Sequence, residues 1–181
     1  MIKYFRIPAL ISVGLFVASA NAEFQGNYAS LNAGVSYIQD TAYENQDSVT
    51  GFRGAGANLF LGTTVNRYFA PELGAAFYSA IPVAKIQIYG LDFRITWPVS
   101  KTISLFGKVG PGVGELRTCT TPYCTTKSTF VPLIGAGIGY DVAKNWMATA
   151  EFNGADFPNS TGNGKGIMGG FTLGATHYWN S

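Results

Sequence analysis

From Tyr28 to Ile38 the side chains change character at every residue. Ala29, Leu31, Ala33, Val35 and Tyr37 fall on one face, and Tyr28, Ser30, Asn32, Gly34 and Ser36 on the other. A period of two belongs to a β-strand, here with one greasy face and one small, polar face. The pattern returns along the chain. Ala55, Ala57, Leu59, Leu61 and Val65 oppose Gly56, Asn58, Gly62 and Thr64, with Phe60 as an inward aromatic. Leu73, Ala75 and Phe77 oppose Glu72, Gly74 and Ala76. Trp146, Ala148, Ala150 and Phe152 oppose Thr149, Glu151 and Asn153; Phe171, Leu173, Ala175 and Trp179 oppose Gly170, Thr172, Gly174 and Thr176.

Composition says what solvates the greasy face. Charged residues make up 12% of the chain and aromatics 14%, whereas a soluble domain carries roughly 25% charged residues. Something other than water therefore covers much of the surface. Beyond the N-terminal segment no apolar run approaches the roughly 18 residues that a membrane helix requires. A closed sheet is the other structure that satisfies every backbone group within a bilayer, and apolar-out, polar-in alternation is its signature.

The N-terminus reads as an export leader. Lys3 and Arg6 precede an apolar stretch from Ile7 to Ala18, followed by the small-x-small cleavage pattern Ala20-Asn21-Ala22. Cleavage is expected before Glu23, giving a leader at 1–22 and one domain at 23–181. Removing 22 of the 181 residues leaves 159, too few for two domains with real cores. Lys+Arg falls from 12 to 10 with the loss of Lys3 and Arg6, matching the 10 Asp+Glu, so the mature chain is neutral. It has no basic stripe for nucleic acid.

Three short segments share a pattern: Val65-Asn66-Arg67-Tyr68-Phe69, Val99-Ser100-Lys101-Thr102-Ile103 and Val142-Ala143-Lys144-Asn145-Trp146. Each joins two alternating runs and reads as a tight turn. Longer polar segments lie between them, at 39–53, 79–84, 115–128 and 153–166. Three short turns and four longer loops predict an all-β, eight-stranded, antiparallel, up-and-down transmembrane β-barrel, with both termini at the short-turn end. Short turns face the periplasm and long loops the exterior. The fourth strand breaks parity. Tyr89, Leu91, Phe93, Ile95 and Trp97 share a face, while Ile86 and Ile88 fall on the other, through either a bulge or a strand that rises above the bilayer.

Tyr37, Tyr68, Phe69, Trp97, Tyr140, Trp146, Tyr178 and Trp179 lie near predicted strand ends, where amphipathic rings form interfacial girdles. Parity places Glu72, Asp92, Arg94, Lys108 and Glu151 on the inward face, out of reach of lipid. Buried charges persist when paired and hydrogen-bonded, so an interior ion-pair network is expected. An ion or proton path is the functional alternative, although eight strands leave an interior about wide enough for side chains.

Cys119 and Cys124 are close in sequence and exported to an oxidising compartment, so a disulfide that stiffens one loop tip is expected. With no nearby histidine they supply half a zinc ligand set, and neither a metal nor a cofactor is expected. Alternate glycines at Gly54/Gly56, Gly110/Gly112/Gly114 and Gly135/Gly137/Gly139 lack the spacing of a nucleotide fingerprint; in a narrow barrel they relieve crowding inside. The single histidine, His177, points outward beside Tyr178 and Trp179, which argues against a hydrolase needing an oriented base.

Together the leader, the eight-strand rhythm and inner faces such as Gly135-Ala136-Gly137-Ile138-Gly139-Tyr140 resemble the outer-membrane β-barrel superfamily, typified by the OmpA transmembrane domain and by OmpX/Ail-like small barrels. The terminal Thr172-Leu173-Gly174-Ala175-Thr176-His177-Tyr178-Trp179 resembles the aromatic-ended signal read by the barrel-assembly machinery. It differs in having His177 where an apolar residue is usual, and in the Asn180-Ser181 that follow. The resemblance implies an integral protein of the Gram-negative outer membrane, in contact with lipid and lipopolysaccharide and delivered by periplasmic chaperones. It implies a role in envelope integrity and in contacts with host or surface ligands through the loops, without catalysis. A narrow porin-like channel and a lipid-modifying enzyme are the alternatives.

Overall fold

The computed structural model describes residues 26–39, 50–80, 84–120, 123–158 and 165–179; the leader, and with it the expected cleavage site, lies outside them. Eight strands run β1 Asn27–Gln39, β2 Thr50–Thr63, β3 Phe69–Ala80, β4 Ala84–Pro98, β5 Ile103–Thr120, β6 Tyr123–Ala143, β7 Trp146–Pro158 and β8 Lys165–Trp179. Each pairs antiparallel with its sequence neighbours, and β1 closes on β8 from Asn27↔Trp179 to Gln39↔Ile167. Closure leaves the ladder without an edge.

The three short connections fall where the shared pattern places them. Val65 and Asn66 both donate backbone hydrogen bonds to the Phe69 carbonyl, at 3.0 and 3.4 Å, and Val99 and Ser100 do the same to Ile103 at 2.9 and 3.0 Å. The opposite end differs from expectation. The segment 115–128, read as a loop, is almost wholly paired strand: β5 and β6 stay in register from Ile103↔Tyr140 to Thr120↔Tyr123. Its threonines and Tyr123 favour strands, so its polarity does not mark an absence of structure. Thr50–Arg53, Asn153–Pro158 and Lys165–Gly166 are likewise strand rather than loop.

The parity puzzle of the fourth strand also resolves. The β3–β4 ladder runs from Phe69↔Ile95 to Ala80↔Ala84 without a shift, so no bulge exists there. Ile86 and Ile88 simply point into the barrel, at 1% and 4% exposure. They join Ala76, Tyr78, Val131, Leu133, Ala155, Phe157 and Met168 in an apolar cluster that fills the lumen toward the long-loop end. A second, smaller cluster of Tyr28, Ala70, Met147 and Tyr178 occupies the short-turn end. Between them lies a polar layer. Outside, every strand presents large apolar groups, including Leu31, Leu61, Leu73, Leu105, Ile134 and Leu173, with Leu31 65% exposed. Such a belt is stable when acyl chains cover it.

Candidate functional site: the polar layer in the lumen

Strand alternation brings one to three inward polar residues from each of seven strands to the middle of the barrel. Glu72 from β3, Arg94 from β4, Lys108 from β5 and Glu151 from β7 converge there, and all are buried. Lys108 Nζ lies 2.9 Å from Glu72 Oε2 and 3.1 Å from Glu151 Oε2, and Arg94 Nη1 lies 3.5 Å from Glu72 Oε1. One lysine thus bridges two carboxylates held by strands on opposite sides of the lumen. Asp92, also buried, is not drawn in: among the described residues no cation comes within 4 Å of it.

Neutral donors reach the Oε1 atoms of the two glutamates. Tyr28 Oη donates to Glu72 Oε1 at 2.6 Å. Glu151 Oε1 accepts from the amides of Asn32, Asn58 and Asn153 at 3.0, 3.3 and 2.7 Å. Thr149 Oγ1 donates to Asn32 Oδ1 at 2.6 Å, the Asn58 amide donates to Thr172 Oγ1 at 3.2 Å, and Thr176 Oγ1 donates to Ser30 Oγ at 3.0 Å. Aromatic faces complete the cations' environment. Lys108 Nζ sits 3.6 Å from the Phe60 ring centre, and the Arg94 guanidinium carbon 3.9 Å from that of Phe106. Both lie within cation–π range.

Glycines supply the room. A Cβ at Gly74 would stand 2.5 Å from Phe60 Cδ1, and one at Gly137 would stand 2.8 Å from Phe106 Cε2. No real Cβ tolerates such separations, so the two rings that face the cations depend on bare backbone opposite them. The Asn, Thr and Tyr donors were legible as inward positions, but their service to the carboxylates was not; their shared parity with the charged residues was the available signal.

Of the aromatics, Tyr68, Trp97, Tyr140, Trp146 and Trp179 face outward near the short-turn end. Phe69 is half-buried and stacked on Phe93 at 5.9 Å, and Tyr37 is half-buried and edge-on to Phe152 at 6.4 Å. Tyr178 is a correction. It points into the lumen, 5% exposed, its ring centre 5.0 Å from that of Tyr28. Parity requires this, because Thr176 two residues earlier is inward and the strand is regular between them. His177 points the other way, its ring 4.5 Å from Trp146 and 5.3 Å from Trp179. Cys119 and Cys124 are direct partners in the β5–β6 register; their side chains lie outside those described.

The layers leave little space. A cavity of about 50 Å³ near the short-turn end is lined by Tyr28, Arg94, Asp141 and Tyr178 among others, and one of about 30 Å³ borders Asp92. Neither is a continuous passage.

No curated protein sequence matches the chain. Among solved structures, Neisserial surface protein A superimposes with a TM-score of 0.69 at 12% identity, covering 86% of this chain and 98% of that one. Ail, the attachment invasion locus protein of Yersinia pestis, gives 0.59 at 15% identity, with 86% and 99% covered. The same protein in complex with the heparin analogue sucrose octasulfate gives 0.56 at 16% identity, with 86% and 99% covered. At these identities the likeness is one of fold. The sequence pattern of a family described as the outer membrane protein beta-barrel domain extends over residues 7–176. A closed antiparallel eight-stranded barrel carrying that pattern over nearly its whole length belongs to the outer membrane β-barrel family, and its place is the outer membrane.

Proposed function

We propose that this is a closed, non-catalytic barrel of the cell envelope whose dealings with the exterior run through the loops at the end opposite the short turns. The observation that carries the reading is the filled lumen. An apolar plug, an ion-paired layer and a tyrosine pair follow one another along the axis, so the work of the strands is to hold a rigid scaffold in lipid. Specificity then belongs to the connections, here 40–49, 81–83, 159–164 and the tip of the β5–β6 hairpin. That Ail was solved with a heparin analogue supports a surface ligand of some kind for a barrel of this size. Residues 1–22 serve as the export leader, Cys119 and Cys124 close a disulfide at the hairpin tip, and the outward aromatics sit at the lipid interface. Lipopolysaccharide, the periplasmic chaperones and the barrel-assembly machinery are its partners during insertion and afterwards.

The test joins conductance to loop exchange. Purified barrel in planar bilayers should give no unit conductance, and chains with 40–49 or 159–164 replaced by short Gly-Ser linkers should still show heat-dependent gel mobility while losing binding to cells or polyanions. Discrete current steps that change when Lys108 is neutralised would sink the closed-scaffold reading and favour a narrow pore. Altered lipid A or phospholipid profiles on overexpression would favour an enzyme.

A further inference from the structure

The polar layer is not electroneutral as drawn from its side chains. Three buried carboxylates, Glu72, Asp92 and Glu151, face two buried cations, Arg94 and Lys108. Both cations are engaged by the two glutamates, Lys108 at 2.9 and 3.1 Å and Arg94 at 3.5 Å. Asp92 is left over. Its Oδ1 is buried and makes no hydrogen bond among the described residues. The charged and titratable groups facing it are Lys108 from β5, Glu72 and Tyr78 from β3 and Glu151 from β7; Arg94, on its own strand, is turned to Glu72.

Asp92 also lines the cavity of about 30 Å³, with Phe60, Tyr78, Ile88, Leu133 and Asn153 around it. This space lies at the boundary between the polar layer and the apolar plug. Among the described residues Tyr78 Oη and Asn58 Oδ1 likewise close no hydrogen bond, whereas Glu72 Oε2 has its ion pair with Lys108 at 2.9 Å. Native interiors rarely leave such groups unmatched, and an uncompensated carboxylate is the most unfavourable of them. A cavity of this volume admits a water-sized species and little more.

We propose that Asp92 holds a single positive charge in this cavity, making the lumen a monovalent-cation site. The charge is either an acid proton on the carboxyl group or one alkali cation beside it, in the cavity that Tyr78 also lines. Binding is simple addition, carboxylate plus H⁺ or M⁺, and brings the buried layer to three positive and three negative charges. It needs no movement of Lys108 from the two glutamates.

The folded full-length barrel in detergent, compared with Asp92→Asn, tests this in two arms. Infrared absorption at neutral pH reads the proton: the wild type should show a protonated-carboxyl C=O band that Asp92→Asn lacks. Thermal midpoints in NaCl or KCl against choline chloride at equal ionic strength read the alkali ion: the wild type should be shifted upward by several degrees, and Asp92→Asn should not. Either signature carries the proposal and identifies the source of the charge. A wild type with neither overturns it. Should Asp92→Asn fail to fold, Tyr78→Phe replaces it, since loss of a hydroxyl from the same cavity lining should move the acid band or reduce the alkali shift; a signal indifferent to Tyr78→Phe overturns the proposal as well.

Discussion

The lumen is filled in two ways. Toward the long loops it is a small protein core, with Ile86, Ile88, Val131, Leu133, Phe157 and Met168 packed as they would be in a soluble domain. At mid-height it is an ion cluster, in which Lys108 joins Glu72 to Glu151 and amides and a tyrosine hydroxyl donate to the glutamates' other oxygens. The two solutions differ in what they specify. Apolar groups tolerate exchange when volume is kept, whereas a buried charge fixes its partners and, through them, the register of strands that never touch. The plug supplies density and the ion layer supplies alignment. Damage to each should therefore look different.

The largest effect is expected from Lys108→Met. Methionine keeps the length and loses the charge, leaving Glu72 and Glu151 buried without their shared cation. Removal of one partner from a buried pair costs about 3–5 kcal/mol. The urea midpoint of the folded barrel in vesicles, followed by heat-dependent gel mobility, should fall accordingly. A loss no larger than that of a plug variant would erase the distinction between the layers. Ile86→Ala tests the plug itself, where truncation of a buried isoleucine costs about 3 kcal/mol. Refilling the space from a neighbour should restore stability there, and no apolar replacement should do so at Lys108. Tyr28→Phe comes next. It deletes only the hydroxyl that donates to Glu72 at 2.6 Å, and a hydrogen bond to a charged group contributes about 1.5–3 kcal/mol.

This contrast also explains what the sequence could and could not reveal. Alternation was readable because lipid forces one face to be apolar and a narrow lumen forces the other to be small or polar; β1, β2, β7 and β8 follow that rule through their middles, while Tyr28, Phe60, Met147, Phe157 and Met168 are large groups that point inward. Glu72, Arg94, Lys108 and Glu151 stood out because a charge flanked by lipid-facing neighbours has nowhere else to go. The rule equates apolar with outward, and it fails where the lumen is itself apolar. Ile86 and Ile88 therefore looked like a fault in β4, and Tyr178, grouped with Trp179 as an interfacial ring, proved to lie inside against Tyr28. Polarity misled at 115–128 for a related reason. Outward residues that meet water are polar whether or not their backbone is paired, and hydrogen bonding across the β5–β6 hairpin leaves no trace in hydropathy. Pair distances were never accessible, because they depend on which inward side chains share a height, and strand stagger sets that.

The smallest effect gives the cleanest separation between the layers' two kinds of bond. Thr176 Oγ1 donates to Ser30 Oγ at 3.0 Å, and both residues are buried. Neither is charged. Thr176→Val keeps the shape and removes the donor, leaving a buried serine hydroxyl without that partner, for a loss of about 1 kcal/mol. Ser30→Ala in the same chain removes the other partner of that bond, but Ser30 Oγ also accepts from the Asn32 amide at 3.1 Å, so the double variant should recover only part of the loss. A neutral pair should thus be partly separable from the scaffold. The corresponding rescue at Lys108 cannot be made by one further change, since Glu72 and Glu151 both depend on that lysine and Glu72 also faces Arg94. Equal recovery in the two cycles, measured by the same urea midpoints, would mean that the ion cluster is no more cooperative than a threonine–serine contact, and the claim that it aligns distant strands would fall.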